Sequence, residues 1–242
     1  MSVPKKRIAL ITGGNRGLGI ETAHQLGSLG YTVLLGARNK EKGEQAAAKL
    51  QAQEIDAHCI ELDVTVQATI DTAVQKITTE YGKLDVLVNN AGIGNRHTFT
   101  DLTVTTLKES FDTNFFGAFA VSQAVLPLLE LSDAPRIVNI SSAIGSITLH
   151  SDPASGVYPL KALAYSSSKT ALNQLTTHLA FTLRHTPAKV NSVCPGFVAT
   201  DFNNGYGDLT PEQGSQIIVR YATLAEDGPT GGFFNEQGAI PW

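Results

Sequence analysis

The chain has 242 residues, 42% of them hydrophobic and 17% charged, which is enough apolar material for a sizeable core and far from the signature of disorder. A formal net charge of −4 offers no basic field to phosphate backbones, so nucleic acid is not expected as a partner. Only two cysteines, Cys59 and Cys194, exclude a disulfide framework and fit a reducing, cytoplasmic setting.

Lys5, Lys6 and Arg7 precede an apolar run that enters Thr12-Gly13-Gly14 after a few residues, too short for a signal-peptide core. The longest apolar stretch, residues 115–129, carries Ser122, Gln123 and Pro127 and is not expected to span a bilayer. Short apolar runs at residues 7–12, 31–37, 55–62, 84–89, 136–141 and 189–194 read as strands. Amphipathic patterns at 18–29, 40–53, 66–81, 105–131 and 163–184 read as helices, the fourth of them kinked or shortened by Pro127. Strand cores such as Val86-Leu87-Val88 are continuously apolar, as when helices cover both faces of a parallel sheet. The sequon Asn139-Ile140-Ser141 falls inside such a run and reads as a chance match. Thr210-Pro211-Glu212-Gln213 opens a last helix, to about residue 225, and Gly231–Phe234 suggest a final edge strand. The alternation predicts one α/β domain over residues 1–242, a Rossmann-like doubly wound parallel sheet of about seven strands with helices on both faces.

The first strand ends in Thr12-Gly13-Gly14-Asn15-Arg16-Gly17-Leu18-Gly19, and a helix follows at once. Glycines there let the backbone approach a pyrophosphate, which first-turn N–H groups and the helix dipole stabilise. A ribose 2′-hydroxyl would call for a carboxylate at the end of the second strand. The sequence instead has Ala37-Arg38-Asn39, with no carboxylate before Glu41. Arg38 and Arg16 suit a 2′-phosphate, so NADP(H) is favoured over NAD(H).

Of six tyrosines only Tyr165 has a lysine four residues on, Lys169, and that spacing puts both on one helix face. An unperturbed phenol, with a pKa of about 10, is a poor base at neutral pH, and a nearby ammonium would favour its ionised form. The preceding strand ends in Ser141-Ser142-Ala143-Ile144-Gly145, where a hydroxyl can hold a carbonyl oxygen beside the tyrosine. Asn114 interrupts an apolar helix and is a candidate to hold a relay water.

On these residues the chain resembles the classical short-chain dehydrogenase/reductase family along nearly its whole length. The family's TGxxxGxG is Thr12 to Gly19, its NNAG is Asn89-Asn90-Ala91-Gly92, and its YxxxK is Tyr165 to Lys169. Its SxxG falls at Ser142 to Gly145, which selects Ser142 over Ser141, and its helix asparagine falls at Asn114. Its PGxxxT is Pro195-Gly196-Phe197-Val198-Ala199-Thr200, and Asp63-Val64 sit where the family contacts adenine. The resemblance implies that Tyr165 exchanges a proton with the substrate oxygen, and that Ser142 orients that oxygen. It implies that Lys169 holds the nicotinamide ribose and lowers the tyrosine pKa, and that Asn114 positions a relay water. Val198 and Thr200 would meet the nicotinamide carboxamide.

The 23 residues from Ser142 to Tyr165 include an extra segment, about 146–159, like the insertion of carbonyl-reductase-like members. In that branch the insertion can cover the helices through which subunits pair, so a monomer and a homo-oligomer both stay open. This insertion, Ile93-Gly94 and a covering segment at about 197–215, with Phe197, Phe202 and Tyr206, would form the pocket for a small carbonyl or alcohol substrate. The function expected is an NADPH-dependent carbonyl reductase, reversible as a secondary-alcohol dehydrogenase. Its rival is a non-catalytic dinucleotide-binding sensor or scaffold, which need not retain Ser142, Tyr165 and Lys169. There is no P-loop or nucleophile elbow, and no histidine pair suited to zinc, so no metal is expected.

Overall fold

Runs apolar on both faces can only be strands that helices cover from both sides, and the computed structural model, which describes residues 6–94 and 97–242, has them so. Lys5 lies outside the described residues. The strands are β1 (Ile8–Thr12), β2 (Thr32–Ala37), β3 (Ala57–Glu61), β4 (Val86–Asn89), β5 (Arg136–Ile140), β6 (Lys189–Val193), β7 (Phe233–Asn235) and β8 (Gly238–Ala239). They form one sheet in the order β3-β2-β1-β4-β5-β6-β7-β8, parallel throughout except for β8.

Successive residues of each strand feed opposite cores. Leu10, Leu34, Leu87 and Ile137 pack under α3 (Gln67–Glu80), α5 (Ala118–Leu129) and α7 (Leu163–Thr182). Their neighbours Ile11, Leu35, Val88 and Val138 pack under α1 (Gly17–Ser28), α2 (Lys40–Gln51) and α8 (Pro211–Ala222). Burying each such side chain is worth about 1.5–3 kcal/mol, so the two cores dominate the stability of the sheet. The strand order reverses between β1 and β4, and the carboxyl ends of these two strands open the crevice in which ligands of doubly wound sheets bind. No helix among the described residues is long and apolar enough to cross a membrane.

A buried polar row crosses the three middle strands, where Asn89, Asn139 and Ser192 lie in register. Asn89 donates to Asn139 (2.8 Å) and to Ser122 (2.9 Å), Asn139 donates to Thr176 (2.8 Å), and Thr176 meets Ser192 (2.7 Å). The sequon asparagine is thus inside the sheet, fully enclosed.

Three expectations about elements need correction. The pattern at 105–131 is not one helix but α4 (Val104–Phe111), a π-helical turn (Asp112–Gly117) and α5, which ends two residues past Pro127. Apolar periodicity does not register the one extra residue that a π turn inserts. Close packing marks the place, because a Cβ on Gly117 would come within 2.6 Å of Val64. The strand at β7 is not the edge. Asn235 accepts amide bonds from Gln237 (3.0 Å) and Gly238 (3.1 Å), turning the chain into the antiparallel β8, which makes eight strands. The helix expected to reach residue 225 ends at Ala222.

Candidate active site

Thr12 at the end of β1 accepts from the amides of both Asn90 (3.0 Å) and Ala91 (2.9 Å). The Asn90 carboxamide donates back to the carbonyls of Thr12 (2.8 Å) and Gly13 (3.1 Å). The two loops at the sheet crevice are therefore stitched into one floor. Gly13 and Gly17 adopt φ of +62° and +52°, which L side chains rarely take. A Cβ on Gly19 would strike Gly13 O and lie 2.7 Å from the Asn90 amide nitrogen, so helix α1 can begin here only on glycine. Arg16 occupies the N-cap position without a side-chain cap, and the half-buried Asn15 and Leu18 flank the turn. An uncapped helix start over a bare backbone cradle fits a pyrophosphate.

Gly14 N donates to Gly36 O (3.0 Å), which brings this turn against the end of β2. Arg16 and Arg38 are exposed there, and neither has an ion-pair partner among the described residues. Two unpaired guanidiniums and no carboxylate at this strand end fit a 2′-phosphate. Asn39 is partly committed, since its side chain caps α2 by accepting from Lys42 N (2.8 Å). Asp63 holds its own loop by accepting from Thr65 N (2.9 Å) and Thr65 Oγ1 (2.7 Å), and Val64 is buried beside it. All these groups lie along the carboxyl edge of the sheet, on the β3 side of the crevice.

The candidate reacting groups lie on the other side. Ser142 follows β5 in extended conformation, and its hydroxyl caps nothing, whereas Ser141 is buried. Gly145 explains the spacing: its amide donates to Ser142 O (2.8 Å), and a Cβ on it would come within 2.8 Å of Lys169 Cβ. The serine turn thus sits directly on α7, at Lys169. Lys169 Nζ donates to Ile140 O (2.7 Å) and lies 5.6 Å from the centre of the Tyr165 ring. Burial drives the ammonium pKa down to about 8. Burial also pushes the Tyr165 phenol above its ordinary range, and the nearby Ser142 hydroxyl only partly opposes this. Burial is the largest influence on the phenol, and it favours the protonated form.

Asn114, in the π-helical turn and fully buried, accepts from Ile93 N (2.8 Å) and donates to Ile93 O (2.9 Å) and Ser168 Oγ (2.9 Å). Both of its N–H groups are spent, so the side chain has none left to donate to a relay water. Ser168 hands the contact on to Tyr165 O (2.7 Å). Neither Thr12 nor Ser168 was singled out from sequence. Thr12 stands within a quoted motif, but Ser168 is one of three consecutive serines and carried no signal. Gly92 lies between Asn114 and Lys169: a Cβ there would be 3.3 Å from the Asn114 oxygen and 3.6 Å from Lys169 Nζ.

Beyond β6, Pro195 is buried and Gly196 turns the chain with φ +85°. Val198 pairs with Leu209, and Thr200 forms a capping box with Asn203 on a single 3₁₀ turn. Thr200 also packs 3.5 Å from where a Gly17 Cβ would be, closing this segment onto the glycine turn. That 3₁₀ turn carries Phe202, whose ring meets Tyr165 at 5.7 Å and covers Gly94. Phe197, Phe202 and Tyr206 are exposed, so they are not core residues.

A dinucleotide cradle beside a serine, a tyrosine and a lysine, on a doubly wound sheet, defines the class of nicotinamide-dependent oxidoreductases. Residues 7–208 match the family model described as short chain dehydrogenase. Short-chain dehydrogenase/reductase 1 of Saponaria officinalis is 33% identical over 98% of this chain and 97% of its own length. That alignment runs over 294 residues, so the relative carries segments with no counterpart here. Salutaridine reductase of Papaver somniferum is 32% identical over 97% of this chain and 96% of its own, and (+)-neomenthol dehydrogenase of Capsicum annuum is 31% identical over 94% and 95%. The structure of the salutaridine reductase superposes with a TM-score of 0.83 over 96% of this chain and 100% of that one. The NADPH-bound carbonyl reductase from chicken fatty liver, 27% identical, superposes with 0.85 over 98% and 100%. The chain belongs to the short-chain dehydrogenase/reductase family, in its carbonyl-reductase-like branch, and is an oxidoreductase acting on carbonyl or alcohol groups.

Proposed function

We propose that the protein is an NADPH-dependent carbonyl reductase that converts ketones or aldehydes to alcohols and runs in reverse as a secondary-alcohol dehydrogenase. The observation that carries this reading is geometric: the Tyr165 ring lies 5.6 Å from the Lys169 ammonium, and the turn that carries Ser142 packs on α7 at Lys169. A phenol placed there can give its proton to a carbonyl oxygen, which is what carbonyl reduction needs. Bound NADPH supplies the hydride. Tyr165 gives its proton to the carbonyl oxygen while the Ser142 hydroxyl donates a hydrogen bond to the same oxygen. The buried Lys169, with its pKa near 8, returns a proton toward the phenolate. Asn114 fixes the Ile93 backbone and would act on a relay water as an acceptor.

Gly13, Asn15, Gly17, Leu18 and Gly19 would cradle the pyrophosphate, with Arg16, Arg38 and Asn39 at the 2′-phosphate. Asp63 and Val64 would lie at the adenine, and Asn90, Ala91, Gly92, Lys169, Pro195, Gly196, Val198 and Thr200 along the nicotinamide half. The exposed apolar rings of Phe197, Phe202 and Tyr206 favour an uncharged substrate. The reductase and dehydrogenase names among the relatives support the same chemistry. We read residues 1–242 as one cytoplasmic domain.

The test is oxidation of NADPH, with NADH in parallel, over a panel of aliphatic, cyclic and aryl ketones and aldehydes. Turnover is expected with NADPH well above NADH, and Arg16→Ser with Arg38→Ser should narrow that preference by roughly tenfold per guanidinium lost. Equal use of both cofactors would refute the role of the arginines. Tight NADPH binding without turnover of any carbonyl would refute the reductase.

A further inference from the structure

Residues 146–161 leave the serine turn four positions after Ser142 and return four positions before Tyr165, so they form a wall beside the reacting groups. The wall begins with α6 (Ile147–Ser151), a five-residue helix with no buried residue. Helices this short do not hold themselves in water, so α6 depends on its ties to other elements. Within the wall, His150 Nε2 meets Leu160 O (3.0 Å) and Lys161 Nζ donates to His150 O (2.7 Å). These bonds close the wall on itself but do not attach it to the sheet.

The attachment comes from residues 240–242, about ninety positions away. Ser146 Oγ caps α6 by accepting from Leu149 N (3.1 Å) and donates to Pro241 O (2.6 Å). Thr148 donates to Trp242 O through its amide (3.0 Å) and through its hydroxyl. The Trp242 ring in turn stacks on Phe233 of β7, with 5.7 Å between ring centres and 15° between planes. Ile240 is buried with Phe233 and Cys194, and Ala143 and Leu149 pack against that cluster. Ala143 is the residue after Ser142, and Leu149 is the inward residue of α6. One small apolar cluster thus joins the serine turn, the wall and the sheet.

We infer that Ile240–Trp242 is a clamp that positions the 146–161 wall beside Ser142, and that Trp242 and Thr148 are positioning residues for substrates large enough to touch that wall. The inference rests on the carbonyl-reductase reading for its substrates, though not for the clamp itself. Ile147, Tyr158 and Leu160 are the exposed large apolar residues that the wall offers to such a substrate. A ketone with a bulky ring would lean on them; a ketone of a few carbons would be held by Tyr165 and Ser142 alone.

The experiment compares wild type with Trp242→Ala, Trp242→Phe and Thr148→Val. Hydrogen exchange of residues 146–161 reads the clamp without any activity, and NADPH affinity together with kcat and KM for a small and a bulky ketone reads its consequence. Trp242→Ala should speed exchange across 146–161 and lower kcat/KM for the bulky ketone by about tenfold, mainly through KM. NADPH affinity and kcat/KM for the small ketone should stay within about twofold of wild type, since misplacement of a remote wall costs only the substrates that use it. Trp242→Phe, which keeps a ring to stack on Phe233, should restore both readouts, and Thr148→Val should reproduce them in part even if Trp242→Ala fails to fold. Unchanged exchange in both Trp242→Ala and Thr148→Val would overturn the clamp, as would equal losses on both ketones. Faster exchange with no turnover of any ketone by wild type would leave the clamp standing and sink the reductase reading instead.

Discussion

At Tyr165 the local chemistry runs against the simplest expectation. A lysine one helical turn away is a natural candidate to ionise a phenol, but Lys169 spends a hydrogen bond on Ile140 O and is itself pushed toward neutrality by burial. The phenol therefore stays protonated, the state in which it can act as an acid. Tyr165→Phe removes one oxygen and leaves the ring packed on Phe202. It should keep NADPH affinity while turnover falls by about 10²–10⁴-fold, read by fluorescence titration and by steady-state kinetics. Wild-type turnover in this variant would end the proton-donor assignment. The resemblance to the family's SxxG selects Ser142 over Ser141, and the Tyr–Lys pair could be read from spacing. Ser168 could not, because its contact with Asn114 exists only once α7 lies against the π-helical turn.

At the scale of elements, the site depends on how closely β5 and α7 approach. Gly145 is the contact point: its carbonyl accepts from Thr170 (2.9 Å) and from Asn173 (3.3 Å), and there is no room for a Cβ against Lys169. Gly145→Ala should force the serine turn and α7 apart by a few tenths of an ångström. Overpacking of this kind costs about 1–3 kcal/mol of stability, and kcat should fall by about tenfold or more as Ser142 and Tyr165 lose their common focus. Thermal unfolding and kinetics together check this; a wild-type kcat would show that the turn relaxes without moving Ser142. The π-helical turn is the matching device on the other side, since it re-aims Asn114 at Ile93 inside what sequence presents as a plain apolar helix.

Across the whole molecule, the two ends of the sheet are treated differently. At the amino ends of the strands, Asp85 accepts from Ile8 N (2.8 Å), Lys83 (2.8 Å) and Ser132 (2.5 Å). The buried Arg136 donates there to Leu224 O (2.6 and 2.8 Å) and Pro187 O (3.1 Å). That end is closed by charge-assisted bonds, while the carboxyl end keeps a buried ammonium that has no carboxylate partner among the described residues. The cost follows from linkage. The Lys169 pKa near 8 in the folded state lies below the ordinary 10.5, so the folded protein pays to hold the charge at pH below 8. That penalty fades as pH rises from about 8 toward the unfolded value. Lys169→Met should therefore raise the melting temperature of the protein without cofactor near neutral pH, by about 2–4 °C for each kcal/mol recovered. The difference should shrink above about pH 9, while turnover is lost. Calorimetry across pH checks it: a variant that melts lower than wild type by the same margin at every pH would show that the Ile140 bond outweighs the buried charge.

Sequence alone determined the βα alternation, the two-faced burial of the strands, the glycine turn and the placing of Tyr165 and Lys169 on one helix face. These depend on local rules: side-chain period, residues that permit positive φ, and fixed spacing along one helix. Tertiary structure alone decided the state of the phenol, the re-aiming of Asn114, the stitching of the crevice by Thr12 and the hold of Trp242 on the wall. Each of these requires desolvation or a hydrogen bond between residues far apart in the chain, and neither quantity exists until the two cores have closed around the sheet.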